Sequence, residues 1–291
     1  MSKTTPPPPP PPARGKTLPT TTWSGTLTAR SSVHHGGETR GTITLLRWEK
    51  LVGPDGALVE VPVVSGNSLR GRLRRIGEEL LREALGYEGQ ITLPAAHALR
   101  GGGSLAKTSH EPLSGARLHQ VRALLPQVAV FGAAAGGVII DGILDVGKVW
   151  PHVTETNHIT GAAAATSAFD LLQVEEYARQ DGATTTAMAE LVDDATAAGS
   201  TQMQFTLQTF PAGTTFSSWM RLRRPLPLEA AFFADVLAAY ARDGHLGGRT
   251  AIGLGQVSTD LHCDHPPPAL DWRKILADRR DDALDALKLL T

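Results

Sequence analysis

Four arginines lie within the first two turns of a helix that the sequence predicts directly after a short strand. An apolar run at residues 61–64 predicts the strand, and the apolar stripe that follows predicts the helix. The stripe consists of Leu69, Leu73, Ile76, Leu80 and Ala84. The arginines are Arg70, Arg72, Arg74 and Arg75. Helix N-termini favour anions, because their backbone N–H groups are unpaired and the helix dipole is positive there. Guanidinium groups at this end therefore predict a phosphate-binding site.

Small polar residues mark the start of the same helix. They are Ser65, Asn67 and Ser68, and we expect Asn67 and Ser68 to cap the helix and to donate to the same phosphates. The helix is expected to end at Gly86, a residue suited to a left-handed cap. A charge run more often forms a solvated face, so a basic surface without a ligand is the alternative interpretation.

A second segment, at residues 247–257, is rich in glycine. It lacks the Gly-Lys-Ser/Thr of a P-loop, and it follows a helix and opens a strand, the reverse of a dinucleotide fingerprint. We therefore expect no nucleotide cofactor here. The backbone of such a loop can approach a ligand closely, and the candidate contacts are Gly248, Arg249, Thr250 and Gly253. A tight helix-to-strand connection with a bulge at Gly253 or Gly255 is the alternative.

Composition narrows the classes of function. The formal net charge of −1 gives no overall polyelectrolyte signal, but the charge is divided along the chain. Residues 30–122 carry 13 basic and 9 acidic side chains, whereas residues 150–200 carry eight acids and one arginine. Cys263 is the single cysteine, so an intrachain disulfide is excluded and a reducing compartment is expected. Because no apolar stretch approaches the roughly 20 residues that a membrane helix needs, we predict a soluble, cytoplasmic protein without membrane contact.

Cofactor and hydrolase chemistry find little support in the sequence. Residues 262–265 (HCDH) contain metal-competent side chains, but a second, distant ligand pair is missing. No Gly-x-Ser-x-Gly elbow is present. We therefore predict neither a metal nor any other cofactor.

The elements that must position these residues are short strands and a few helices. Residues 1–19, with a proline run at 6–12, are predicted to be a disordered tail. The interpretation of the rest is an RNA-binding domain at 20–262, with an insertion at about 152–201, and a C-terminal helical segment at 263–291. Strands are predicted at 22–29, 41–48, 58–64, 127–131, 138–149 and 250–261, a hairpin at 202–224, and helices at 228–240 and 271–290. This order favours an α+β, ferredoxin-like (RRM-like) core with elaborations.

Three segments together resemble a known family. PVVSGNSLRG at residues 62–71, VFG at 130–132 and GGRTAIGLG at 247–255 are similar to motifs of the RAMP superfamily of CRISPR-associated proteins. The sequence is most similar to the RNA-binding backbone subunit of multisubunit CRISPR complexes, in its type IV form, and the resemblance spans about residues 22–261. It implies a ferredoxin-like palm with a protruding thumb, to which the insertion contributes.

The same resemblance implies the function and the partners. A backbone subunit binds guide RNA (crRNA) and polymerises along it as a homo-oligomeric filament, beside other CRISPR effector subunits and a complementary target nucleic acid. The helix start at 65–75 and the loop at 247–255 would then contact RNA phosphates.

Catalysis is not expected. Type III members of the family cleave RNA with an aspartate after the first strand, but residues 32–40 contain none, and the first aspartate, Asp55, lies in a turn. His34, His35 and Arg40 are candidate RNA contacts in this stretch. A metal-independent endoribonuclease that uses His34 or His35 is the second interpretation. The third is an assembly protein that binds no RNA and whose basic helix meets an acidic partner surface.

Overall fold

The computed structural model describes residues 16–105, 112–179 and 203–290. Most of the predicted proline-rich tail and the C-terminal part of the predicted insertion, residues 180–201, lie outside the described residues. Residues 16–20 are extended, and the Leu18 N–H donates to the Pro225 carbonyl at 2.8 Å.

The described residues form a mixed α+β structure, which confirms the predicted class. The strands are β1 (Thr21–Ala29), β2 (Gly36–Arg40), β3 (Ile43–Leu46), β4 (Trp48–Val52), β5 (Leu58–Pro62), β6 (Ala133–Ala135), β7 (Val138–Ile140), β8 (Leu144–Val146), β9 (Trp150–Pro151), β10 (Gln173–Arg179), β11 (Met203–Thr209), β12 (Thr215–Leu222) and β13 (Val257–Cys263). The helices are α1 (Gly66–Leu85), α2 (Leu93–Gly101), α3 (Gly115–Leu124), α4 (Pro126–Phe131), α5 (Asn157–Thr160), α6 (Pro227–Asp243), α7 (Trp272–Asp278) and α8 (Arg280–Lys288).

The main sheet has the strand order β13-β1-β12-β8, and β9 also pairs with β12. All neighbours along this path are antiparallel. Along the chain, its strands and the two long helices occur in the order β1, α1, β8, β12, α6, β13. The central strand β1 therefore pairs with strands from the C-terminal third of the chain, with Thr28 opposite Thr215 and Ala29 opposite Val257.

The main core lies between this sheet and the long helices. Alternate residues of β1 and β12 point into it, so that Leu27 and Phe216 are fully buried. Helix α6 contributes Phe233, whose ring packs edge-on against Trp23 at 5.2 Å between centroids. The opposite face of the main sheet carries the polar residues of the same alternation.

A second sheet has the order β10-β11-β3-β2, with β11 and β3 parallel. The sequence predicts β11 and β12 as the two arms of one hairpin, and this prediction is wrong. Both strands form, but β11 pairs with β10 and β3, whereas β12 pairs with β1 and β8. The Phe210 N–H and carbonyl bond to Val33 instead, so the chain crosses between the two sheets at this point.

The prediction for residues 127–131 is also wrong, because they belong to helix α4 rather than to a strand. Every residue of α4 is buried, so the apolar run shows no periodicity that separates a helix from a strand. The last strand begins at Val257, because Thr250–Ile252 form a 3-10 turn. The predicted C-terminal helix is divided into α7 and α8 at Arg279.

Candidate nucleic-acid interface

Helix α1 begins at Gly66, directly after the buried segment 61–64, and its capping residue is Ser65. The Ser65 hydroxyl accepts a hydrogen bond from the Ser68 N–H at 3.3 Å, so the prediction that Asn67 and Ser68 supply the cap is wrong. No acidic residue lies in the first turn. A Cβ atom on Gly66 would lie 2.5 Å from the Val146 carbonyl oxygen, so only glycine allows this close approach to β8. The end of the helix at Gly86 is confirmed as a left-handed cap with φ of 57°.

Arg70 and Arg74 point into the protein. Arg74 is only 8% exposed, and its guanidinium donates to the carbonyls of Phe131 at 2.5 Å and Gly132 at 2.8 Å. Arg70 donates to the same Phe131 carbonyl at 2.7 Å. Burial lowers the pKa of Arg74 to about 10, and the neighbouring charge of Arg70 adds to this shift. The prediction that this pair holds phosphate is corrected, because the pair pins the C-terminal end of α4 against α1.

Arg72 and Arg75 leave α1 in other directions. Arg72 is half-buried on the side of α6, where its charge offsets part of the rise in the pKa of Tyr240 that burial causes. Its Nε is buried without a hydrogen-bond partner among the described residues. Arg75 is exposed and lines a cavity of about 860 Å³ together with His97 and Arg100. The four arginines therefore do not form a single patch. Arg70 and Arg74, four positions apart, share one face of α1 and bind the same carbonyl, whereas Arg72 and Arg75 have other surroundings.

The glycine-rich loop lies against the segment that follows β1. The Gly248 N–H donates to the His34 carbonyl at 2.8 Å, and Gly247 adopts φ of 80° where a Cβ atom would collide with that carbonyl. Arg249 is itself in the left-handed region, with φ of 60°. Residues 248–253 are exposed, and Gly253 has open space around its Cα. The loop is thus anchored at its base and presented to solvent at its tip.

Arg249 connects this loop to the second sheet. Its guanidinium donates to the Tyr177 hydroxyl at 2.6 Å and lies 5.4 Å from the centre of the Tyr177 ring. The Tyr177 ring stacks on Phe205 at 5.2 Å, with 15° between the ring planes. Tyr177 and Phe205 are not among the site residues predicted from the sequence. Their only signal is their place among alternating residues of β10 and β11, which face each other in register.

The two histidines of the predicted site point apart. His34 is 4% exposed, and its Nδ1 lies 2.8 Å from the Gln208 carbonyl. Burial lowers the pKa of His34, although the hydrogen bond to Gln208 opposes this and Arg249 adds to it. Burial also lowers the pKa of His35, and the positive charge of Arg47 lowers it further. Its Nε2 is buried without a partner among the described residues.

Arg40 and Thr250 are at the surface. Arg40 is paired with Glu38 on the exposed strand β2, through two contacts of 3.1 Å. Thr250 opens the 3-10 turn within the glycine-rich loop. The structure therefore brings together Gly248, Arg249, Thr250, Gly253 and the backbone of His34, while Arg40 lies on a separate strand.

Neither a family model nor a curated protein sequence matches this chain. Among solved structures, a chain of a structure described as "Type IV-B CRISPR Complex" is 34% identical and has a TM-score of 0.62. The similarity covers 88% of this chain and 99% of that chain. This chain belongs to the family of type IV CRISPR complex subunits. The family resemblance of the sequence motifs is therefore confirmed at the level of a type IV CRISPR subunit.

The described residues of this type IV subunit also bear on metal binding and on membrane insertion. In residues 16–105, 112–179 and 203–290, no three His, Cys, Asp or Glu side chains are grouped as a metal site requires. In the HCDH segment, the Asp264 carboxylate accepts a hydrogen bond from the Thr22 N–H at 2.7 Å and pairs with His265 at 3.2 Å. Among the helices of the described residues, none has the length and apolar character needed to cross a bilayer.

Proposed function

We propose that this type IV CRISPR subunit is a non-catalytic backbone subunit that binds guide RNA. The observation that carries the proposal is the solvent-exposed loop 248–253, which presents the Arg249 guanidinium next to a base held by the hydrogen bond from the Gly248 N–H to the His34 carbonyl. A guanidinium recognises phosphate without reading base sequence. A subunit that coats a guide of any sequence needs this kind of contact.

The main sheet supports a ferredoxin-like palm. Its strands and long helices follow one another as β-α-β-β-α-β, and the spatial order of the strands is fourth, first, third, second. The remaining strands and helices are insertions into this pattern. We assign the thumb to the arm built by β10 and β11, whose connection at residues 180–202 lies outside the described residues.

The phosphate contacts of this proposal are fewer than the sequence suggests. Arg249 is exposed on the loop, and the start of α1 offers Asn67 and the hydroxyl of Ser68. Arg75 provides a further exposed guanidinium on α1. Arg70 and Arg74 instead hold α1 and α4 together through the Phe131 carbonyl.

The absence of cleavage is part of the proposal. General acid–base cleavage of RNA requires two groups that reach one phosphodiester. The His34 ring is buried and its Nδ1 is bonded to the Gln208 carbonyl, while the Nε2 of His35 is buried without a partner among the described residues. Asp55 lies in the turn between β4 and β5 and accepts from the Ala57 N–H at 3.0 Å. We expect the partners to be guide RNA, further copies of this chain in a filament, other CRISPR subunits and a complementary target strand.

The test compares Arg249→Gln with Arg242→Gln, an exposed arginine on the last turn of α6. Affinity for single-stranded RNA is measured by fluorescence anisotropy between 50 and 300 mM salt. Arg249→Gln is expected to weaken binding for all sequences and to reduce the slope of log K against log salt by about 1, because one phosphate contact is lost. Arg242→Gln is expected to behave as the wild type.

An equal salt slope for Arg249→Gln and the wild type would contradict the phosphate contact of Arg249, and a wild-type protein that binds no RNA would contradict guide binding. The same reactions are resolved on denaturing gels, with and without magnesium. RNA that stays intact supports the non-catalytic assignment. Cleavage that disappears in His34→Ala or His35→Ala would assign the chain to the endoribonucleases instead.

A further inference from the structure

The face of the main sheet that points away from α1 and α6 carries an exposed tryptophan. In β12, Ser218, Met220 and Leu222 are buried, whereas Trp219 and Arg221 between them are exposed. The Trp219 indole is 40% exposed, and its cross-strand neighbour on β1 is the small residue Ser24. A large aromatic ring on an otherwise polar sheet face is not needed for the core.

The Trp219 ring is part of an ordered stack. The Arg221 guanidinium lies 5.4 Å from the ring centre, and Asp145 on β8 holds this guanidinium through contacts of 3.3 and 3.4 Å. Arg223 pairs with the other oxygen of Asp145 at 3.4 Å. The carboxylate thereby fixes the orientation of the guanidinium plane, so that little side-chain freedom is lost when a ligand stacks on it.

A second pair of this kind lies on the same face. Trp150 on β9 is opposite Ser217, two residues before Trp219 on β12, so both indoles project from one side of the sheet. The Lys148 ammonium lies 5.6 Å from the Trp150 ring centre and pairs with Glu49, which also binds Arg47. Arg47, Lys148, Arg221 and Arg223 are four cations, against the carboxylates of Glu49, Asp145 and the exposed Asp260, which lies on the same face opposite Thr26. One positive charge is in excess among these groups.

The face continues into the start of α1. Gly147 donates its N–H to the Trp219 carbonyl at 3.0 Å, and a Cβ atom on Gly147 would collide with the indole. On its other side, the Gly147 carbonyl lies 2.7 Å from where a Cβ on Gly66 would be. The Trp219 ring and the first turn of α1 therefore flank one glycine.

We propose that Trp219 and Arg221 form a stacking site for the bases of single-stranded nucleic acid, next to the half-buried Trp150, which packs against Val61 and Val153. This proposal rests on the proposed function, and it names base stacking as a contact separate from phosphate binding. Aromatic rings and guanidinium planes stack on every base, so the site tolerates any guide sequence. The surplus positive charge attracts the phosphates of the strand that the bases belong to.

The test uses two fluorescently labelled ligands of equal length and charge, an oligoadenylate and an abasic oligonucleotide. Trp219→Ala is expected to weaken binding of the oligoadenylate about 5- to 100-fold, because one stacked base is lost. Its affinity for the abasic ligand is expected to equal that of the wild type. Trp219→Phe keeps a ring and is expected to recover most of the loss, and Ile139→Ala removes an exposed apolar side chain elsewhere.

Each other result overturns the stacking site. Wild-type affinity of Trp219→Ala for both ligands would refute it while leaving RNA binding itself intact. An equal loss of affinity for both ligands would show that Trp219 supports the fold of the sheet and does not stack on bases. A change in particle mass of Trp219→Ala without RNA would make the face a protein contact between copies. A wild-type protein that binds neither ligand would refute the proposed function together with this site.

Discussion

Arg70 and Arg74 converge on one carbonyl oxygen at the end of α4. Two like charges tolerate this proximity because the last carbonyls of a helix have no intrahelical partner and carry partial negative charge. The sequence shows these arginines only as part of a charge run, and their burial depends on α4, which begins more than 50 residues later. The sequence therefore predicts the helix position of these residues, while their role follows from tertiary packing.

The first prediction concerns Arg74. Arg74→Leu leaves the Gly132 carbonyl without its guanidinium donor, so we expect the free energy of unfolding to fall by about 2–3 kcal/mol. Arg75→Leu removes an exposed guanidinium on the same helix and should change stability by less than about 0.5 kcal/mol. Urea unfolding followed by circular dichroism measures both. If both substitutions changed the free energy of unfolding equally, Arg74 would have no special structural role.

At the scale of elements, the amphipathic helices were the easiest to predict. The stripe from Leu69 onwards locates α1, and Gly86 ends it, because local periodicity and capping chemistry are sufficient there. The short apolar segment at α4 carries no such period. The strand partners of β11 cannot be predicted from local sequence either, because its parallel pairing of Thr206 with Ile43 joins residues far apart in the chain.

The glycine-rich loop illustrates the same limit for the site. Its glycines indicate close backbone approach, but Tyr177, which binds Arg249, comes from a strand in the other sheet. The sequence alone therefore identifies the loop and Arg249, whereas the aromatic support of Arg249 emerges only from the packing of β10 beside β11.

The two glycines Gly247 and Gly253 of the loop are predicted to differ in how well they tolerate alanine. Both have positive φ, but a Cβ at Gly247 meets the His34 carbonyl, while a Cβ at Gly253 meets nothing within 4 Å. Gly253→Ala should cost only the left-handed backbone strain of about 1–2 kcal/mol. Gly247→Ala should cost about 1–3 kcal/mol more and should also weaken RNA binding, because the loop loses its bond to His34. Urea unfolding and RNA anisotropy test the pair, and equal stabilities would contradict an anchored loop.

For the whole molecule, the division of charge along the chain bears on assembly. Glu155, Asp170, Glu175 and Glu176 belong to the acidic part within the described residues. In the proposed filament, a head-to-tail contact would pair an acidic region of one copy with a basic region of the next. Such a heterologous contact builds an open row when its rotation does not close a ring. RNA bound along the proposed row would stabilise it further, because each bound copy would raise the local concentration of the next.

Particle size is expected to grow in steps with RNA length and to shrink at high salt, which screens contacts between charged surfaces. Multi-angle light scattering after size exclusion measures the mass on RNAs of increasing length. The matched control is the Arg249→Gln protein, whose particles should be smaller at equal RNA length. A single mass at every RNA length would favour a closed ring or a monomeric binder.

The pairing of β1 also affects how the chain folds while it is being synthesised. One edge of β1 pairs with β12, where Thr28 is opposite Thr215, and the other pairs with β13, where Ala29 is opposite Val257. Neither edge can be hydrogen-bonded in this way until those later strands have been synthesised. At roughly 5–20 residues per second, a ribosome needs on the order of 10–40 s to deliver β12 after β1 has emerged. During that interval both edges of β1 are open to other chains, including neighbours on the same messenger. The strand at the centre of the finished sheet is thus made first and enclosed last.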